Sequence, residues 1–173
     1  MRETSNFQQK EIVELLNKCW MTHDGMWFFH SLQEFGIETT NKINKSAIKS
    51  LASIEIPRVR KILNCEGEFT EFQCLKTFLE EVKKIMVPDF MNVEFAYPQN
   101  NVIEWVFKQN KCFAYKGIQM LGAIEDYECG VLYRIKCWLD ELGIPHRVIP
   151  EIDKCQMHFK GSCSGEIQLF GLK

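Results

Sequence analysis

Met91-Asn92-Val93-Glu94-Phe95-Ala96-Tyr97 sets a large side chain at every second residue, and Ile103, Trp105 and Phe107 repeat the alternation beyond Pro98-Gln99-Asn100-Asn101. A period of two turns one side of an extended chain toward a core, so this stretch predicts a β-hairpin. Upstream the period is helical. Leu75, Phe78, Leu79, Val82, Ile85 and Met86 form one stripe on a helix expected over 71–86 and ended by Val87-Pro88. Farther back, Ser5 with Gln8 reads as a capping box, followed by Phe7, Ile12, Leu15, Leu16 and Cys19 at helical spacing. That pattern runs through 20–35 to a stop at Gly36. A second helix is expected from Thr40 or Asn41, with Ile43, Ala47, Ile48, Leu51 and Ile54 inward, interrupted at Pro57 and resuming for a turn or two.

Downstream of the hairpin, Ile124, Val131, Ile135, Trp138 and Leu142 predict a helix near 124–142, capped by Gly143. Short strands are expected at 147–149, 156–160 and 166–170, with a turn at 161–165. The fold class is therefore α+β: N-terminal helices, then an antiparallel sheet packed with helices in the order β-hairpin, helix, β-hairpin. The chain reads as one domain, 1–173, with a helical part over 1–88 and an α+β part over 89–173.

The sequence has 173 residues, 46% hydrophobic and 25% charged, with a net charge of −2 from 21 basic and 23 acidic side chains. That length and composition suit a single folded core. The densest basic clusters, Arg58-Arg60-Lys61 and Lys83-Lys84, are too short to track phosphates, which argues against nucleic acid as a partner. Met1–Asn6 is polar with no apolar run behind it, and no stretch reaches membrane-helix length. The expectation is a cytoplasmic protein with no membrane partner. Its eight cysteines then read as reduced thiols, bound to metal or buried. Thirteen Phe, four Trp and four Tyr suit a thick core, or a cavity for an apolar ligand.

Four soft-metal ligand candidates fall in the last third: Cys129, Glu151, Cys155 and Cys163. Zinc takes four tetrahedral thiolate, imidazole or carboxylate ligands, and a helix, a loop and a hairpin would each supply some here. Buried cysteines acting as small hydrophobes are the plainer reading. Cys112, beside Phe113 and Ala114, is the rival to Glu151 as fourth ligand, or a reactive thiol. Cys19, Cys65, Cys74 and Cys137 lie on or beside helices and read as inert.

The segment Glu151-x3-Cys155-x5-Gly161-x-Cys163, behind a helix carrying Cys129, resembles the end of four-vinyl reductase domains. These include the sensor domains of bacterial phenol-responsive regulators. The resemblance covers about the last 80 residues. It implies a four-vinyl reductase-like fold and a structural zinc, held by three cysteines and a glutamate beside a pocket for an aromatic ligand. The same end pattern is similar to aminothiazoline-carboxylate hydrolase-like proteins. Over most of its length the chain also resembles a family of small uncharacterised bacterial and archaeal proteins. Its hallmarks here are the run from Trp20 to Phe28 with its His23-Asp24, the segment Gly122-x-Ile124-x-Asp126-Tyr127-Glu128-Cys129-Gly130, and Cys155-x-Met157-x4-Gly161-x-Cys163.

His23, Trp27 and His30 share one helix face, with Asp24 one step round. His23 and Asp24 are the candidate catalytic residues, as acid and base, and also a candidate polar rim for a pocket. The plainer reading makes them hydrogen-bonded structural groups beside core aromatics. His23 and His30 stand two turns apart, about 10 Å, too far for one ion. The candidate ligand-binding residues are His23, Trp27 and Trp105. The residues thus point to a zinc-containing domain binding a small apolar or aromatic molecule. The alternatives are a hydrolase- or reductase-like enzyme using the same pocket, and a scaffolding homodimer held by its apolar helices.

Overall fold

The computed structural model describes residues 7–173. The capping box proposed at Ser5 lies outside them; the first helix starts behind Gln8, whose amide donates to the Glu11 carboxylate at 2.8 Å. This helix, α1 (Gln9–Ile62), is broken at Gly36, where φ 72° and ψ 173° lie in a region that only glycine occupies without strain. The expected stop is therefore a kink. The helix resumes at once, with the Thr40 hydroxyl donating to the Gly36 carbonyl at 2.7 Å. It also continues through Pro57, correcting the expected interruption. Pro57 is exposed, while Ile56 and Val59 beside it are buried, so docking of those residues outweighs the missing backbone donor. Ile43 and Ile54, expected inward, are exposed.

The predicted apolar stripe forms α2 (Phe72–Met86), with Phe72, Leu75, Phe78 and Val82 buried. A 3-10 turn (Asp89–Met91) leads into β1 (Val93–Ala96) and β2 (Val102–Phe107), the expected hairpin. Two further helices follow: α3 (Phe113–Met120), absent from the sequence reading, and α4 (Gly130–Glu141). After β3 (His146–Ile149) the chain forms α5 (Gln156–Lys160), where a strand was expected, and ends in β4 (Cys163–Leu169). The amides of His158 and Phe159 donate to the Cys155 carbonyl at 3.1 and 3.2 Å, closing a helical turn that buries both Gln156 and Met157.

All four strands run antiparallel in the order β1-β2-β4-β3, giving the α+β class. Phe95, Trp105 and Gly165 lie in one cross-strand row, and Val93, Phe107 and Cys163 in the next. These rows face the helices. Trp105 is 1% exposed, and an added Cβ on Gly165 would stand 2.5 Å from its ring, so glycine is what lets the indole lie on the neighbouring strand. No helix of the described residues is long and apolar enough to cross a membrane.

Candidate functional site

The sheet's helix-facing side and the helices enclose a cavity of about 450 Å³. Val93, Phe95, Ile103 and Phe107 form its floor, Val82 and Met86 of α2 one side, and Ile118 of α3 with Val131 and Ile135 of α4 the other. Trp20, Asp24 and Phe28 of α1 close over it. The walls are chiefly apolar, with a few polar groups among them, as ligand pockets of this size are.

Arg134 is the polar group best fixed in this wall. Its guanidinium lies 4.5 Å from the centre of the Trp20 ring and 5.1 Å from that of Trp138. Two of its nitrogens donate to the Glu55 carboxylate, Nε at 3.2 Å, and Trp138 Nε1 donates to the same carboxylate at 2.7 Å. Glu55 thus neutralises the arginine and leaves the cavity without a free cation at that point. Asp24 stands at the rim with an exposed edge. Partial burial raises its carboxyl above the usual range, opposed by the positive charge of Arg134 and by His23.

Of the residues predicted for this pocket, only Asp24 lines it. His23 and Trp27 share a helix face as expected, but that face is turned outward: Trp27 is 66% exposed and its indole donates to His23 Nε2 at 3.3 Å. The opposite side of the helix, with Met21 and Phe28, is the one against the body. Trp105 is in the core, beneath Gly165, rather than on the cavity wall. Acid–base pairing of His23 with Asp24 on a substrate in the cavity is thus left without its histidine.

A second, far smaller space of about 10 Å³ adjoins the first. Cys112, Cys129, Cys155 and Cys163 all line it. They converge from four segments, each held by its own backbone contacts. The β2–β4 register sets Cys163 opposite Phe107, and Cys112 follows five residues after Phe107 at the head of α3. The Cys129 amide donates to the Asp153 carbonyl at 2.9 Å, and Glu128 bridges Lys154, which brings the head of α4 beside Cys155 at the head of α5. Asn41 of α1 holds this corner too, donating to the Asp126 carbonyl and accepting from the Glu128 amide.

Three of the four thiols are helix N-caps, so backbone amides face their sulfurs: Ala114 and Tyr115 at Cys112, Leu132 at Cys129, Met157 and His158 at Cys155. None closes a full cap hydrogen bond, but all favour the thiolate. Against Cys163 lies the Trp105 indole N–H, which favours the thiolate but is buried without a hydrogen-bond partner. Burial works the other way, pushing the Cys129 thiol up to about 12 and Cys163 to about 11, and raising Cys112 and Cys155. Glu151, the expected fourth ligand, is exposed and off this wall; Ile152 lines it instead. Among the described residues no three His, Cys, Asp or Glu side chains already stand in the arrangement of a metal centre.

Phe107, Ala114, Tyr127 and Val131 line both spaces. Tyr127 is 4% exposed, and its hydroxyl accepts from the Gly130 amide at 3.0 Å. The thiol cluster and the large cavity therefore share a wall.

The chain belongs to DUF6125, a family of unknown function, which matches residues 2–140. Cys112, Cys129 and the cavity-lining parts of α1 to α4 fall within the match, and Cys155 and Cys163 beyond it. No curated protein and no solved structure matches the chain.

Proposed function

We propose that this is a zinc-stapled domain whose large cavity holds a small apolar or aromatic molecule. Cys112, Cys129, Cys155 and Cys163 would hold the ion, with Glu151 outside the ligand set. The observation that carries this reading is the convergence of four thiols on one small space that shares a wall with an apolar cavity of about 450 Å³. An all-thiol donor set suits zinc, and four protein ligands make a closed, structural site. The amides at the helix heads and the unpartnered Trp105 N–H would serve as donors to the thiolates. Zinc would reverse the raised thiol values, because a bound cation stabilises the deprotonated form. Binding requires the thiols to draw inward onto the ion.

Metal analysis of freshly purified, reduced protein is expected to give about one zinc per chain. Each of Cys112→Ser, Cys129→Ser, Cys155→Ser and Cys163→Ser should lose it, while Glu151→Gln keeps it. A wild-type protein without stoichiometric metal overturns the site, and loss of zinc in Glu151→Gln overturns the ligand set.

The cavity is tested with the neutral fluorescent probe N-phenyl-1-naphthylamine. Wild-type protein is expected to bind it with micromolar affinity, about −8 kcal/mol. Gly117 lines the cavity in α3, and a Cβ there meets no atom within 4 Å. Gly117→Phe should weaken binding at least tenfold by occupying the space, and Trp27→Ala, off the wall, should leave it unchanged. Equal binding by wild type and Gly117→Phe would sink the cavity assignment.

A further inference from the structure

The part of α1 before Gly36 is apolar on two opposite sides, and the body covers only one of them. Inward lie Val13, Asn17, Met21 and Phe28, with the Asn17 amide donating to the Ile85 carbonyl at 3.0 Å and Phe28 edge-on to Tyr127. Outward, Ile12 is 42% exposed, Leu15 57%, Leu16 61%, Met26 50% and Trp27 66%. Cys19 is exposed on the same stripe. Ile12, Leu16, Cys19, His23, Met26 and His30 follow one another in steps of four and three, the spacing of a helix–helix seam.

We infer that this outward stripe of α1 is the seam of a homodimer, packed against the same stripe of a second copy. Its five large apolar side chains expose on the order of 600 Å², at the upper limit for a soluble monomer and about three-quarters of what each partner buries in a standard interface. From Ile12 to His30 the seam is about 27 Å long.

Charge selects a second copy over a different partner. The stripe holds no Asp, Glu, Lys or Arg, so it meets itself with no like charges opposed. Of the charges flanking it, Lys18 is paired with Glu14 at 2.6 Å, while Lys10 lies on the body-facing side, paired with Asp89 at 2.7 Å. The seam is on the opposite side of the helix from the cavity, so it stands or falls separately from the zinc and ligand readings.

The test is the solution mass of the full chain by sedimentation, from about 1 μM to about 100 μM. A species of twice the 20.3 kDa chain mass is expected to dominate at the upper end. Leu16→Glu and Trp27→Glu, both at exposed positions, should each weaken association more than roughly 100-fold. Circular dichroism and binding of the naphthylamine probe should stay as in the wild type, showing that the variants fold. Met120→Glu, on the 82% exposed Met120 of α3, should remain dimeric. A wild type that is monomeric throughout overturns the inference. So does a dimer that survives Leu16→Glu and Trp27→Glu.

Discussion

Glu55→Ala is expected to cost about 3–5 kcal/mol of folding stability, because it strands a largely buried arginine. Glu55 is 9% exposed and the side chain of Arg134 17% exposed, so removing either leaves the other's charge uncompensated and largely out of water. The carboxylate also takes the Trp138 indole N–H at 2.7 Å, a donor left without a partner when it is removed. Glu55 belongs to α1 and Arg134 and Trp138 to α4, so the cluster clamps the helix that closes over the cavity to one that forms its side. Urea unfolding of Glu55→Ala and of the Glu55→Ala/Arg134→Met pair measures this. The double variant should recover much of the loss, since removing both charges also removes the cost of burying either. A Glu55→Ala change below about 1 kcal/mol would mean that the arginine finds water or another partner. Naphthylamine binding should weaken in the single variant, where an unneutralised guanidinium faces an apolar wall.

The elements legible in the sequence were those with one dry face and one wet one. β2 alternates from Ile103 onward, with Ile103, Trp105 and Phe107 buried, and in the α2 stripe Leu75, Phe78 and Val82 are buried while Leu79, Ile85 and Met86 are half-buried. α1 misled because both sides before Gly36 are apolar. The spacing that set His23 and Trp27 on one face could not say which face meets the body. α5 failed for a different reason. Five residues with Met157 and Phe159 two apart fit a strand as well as a helical turn, and the contacts that decide come from the Cys155 carbonyl. α3 has eight residues with an internal Gly117, and its head is a cysteine rather than a usual cap, so no local signal announced it.

The thiol cluster was legible in part for the same reason. Cys129, Cys155 and Cys163 stood out through their end pattern, whereas the approach of Cys112 depends on the β2–β4 register, which sets Phe107, five residues before it, opposite Cys163. In the sequence Glu151 reads as the fourth ligand with Cys112 as its rival, but the loop turns its half-buried neighbour Ile152 to that wall and leaves Glu151 exposed. The large cavity is a product of tertiary packing between α1, α2, α4 and the sheet, and no single segment carries its outline.

Gly165→Ala should destabilise by at least about 3 kcal/mol, or prevent recovery of folded protein. The new methyl would stand 2.4 Å from the Ile149 carbonyl oxygen and 2.5 Å from the Trp105 ring. Neither can give way cheaply. Ile149 is backbone of β3, paired with β4 at Glu166, and Trp105 is 1% exposed within the sheet's covered face. The strain would reach the thiols as well, since Cys163 begins the same strand and rests against the Trp105 indole. Thermal unfolding and zinc content measured on the same preparation separate the two effects. A drop of roughly 10 °C or more with zinc still bound would confine the damage to the sheet. Loss of both would mean that the indole's position also sets the geometry of the Cys163 sulfur. A Gly165→Ala protein as stable as the wild type would show that β3 and β4 stand farther apart than this packing allows.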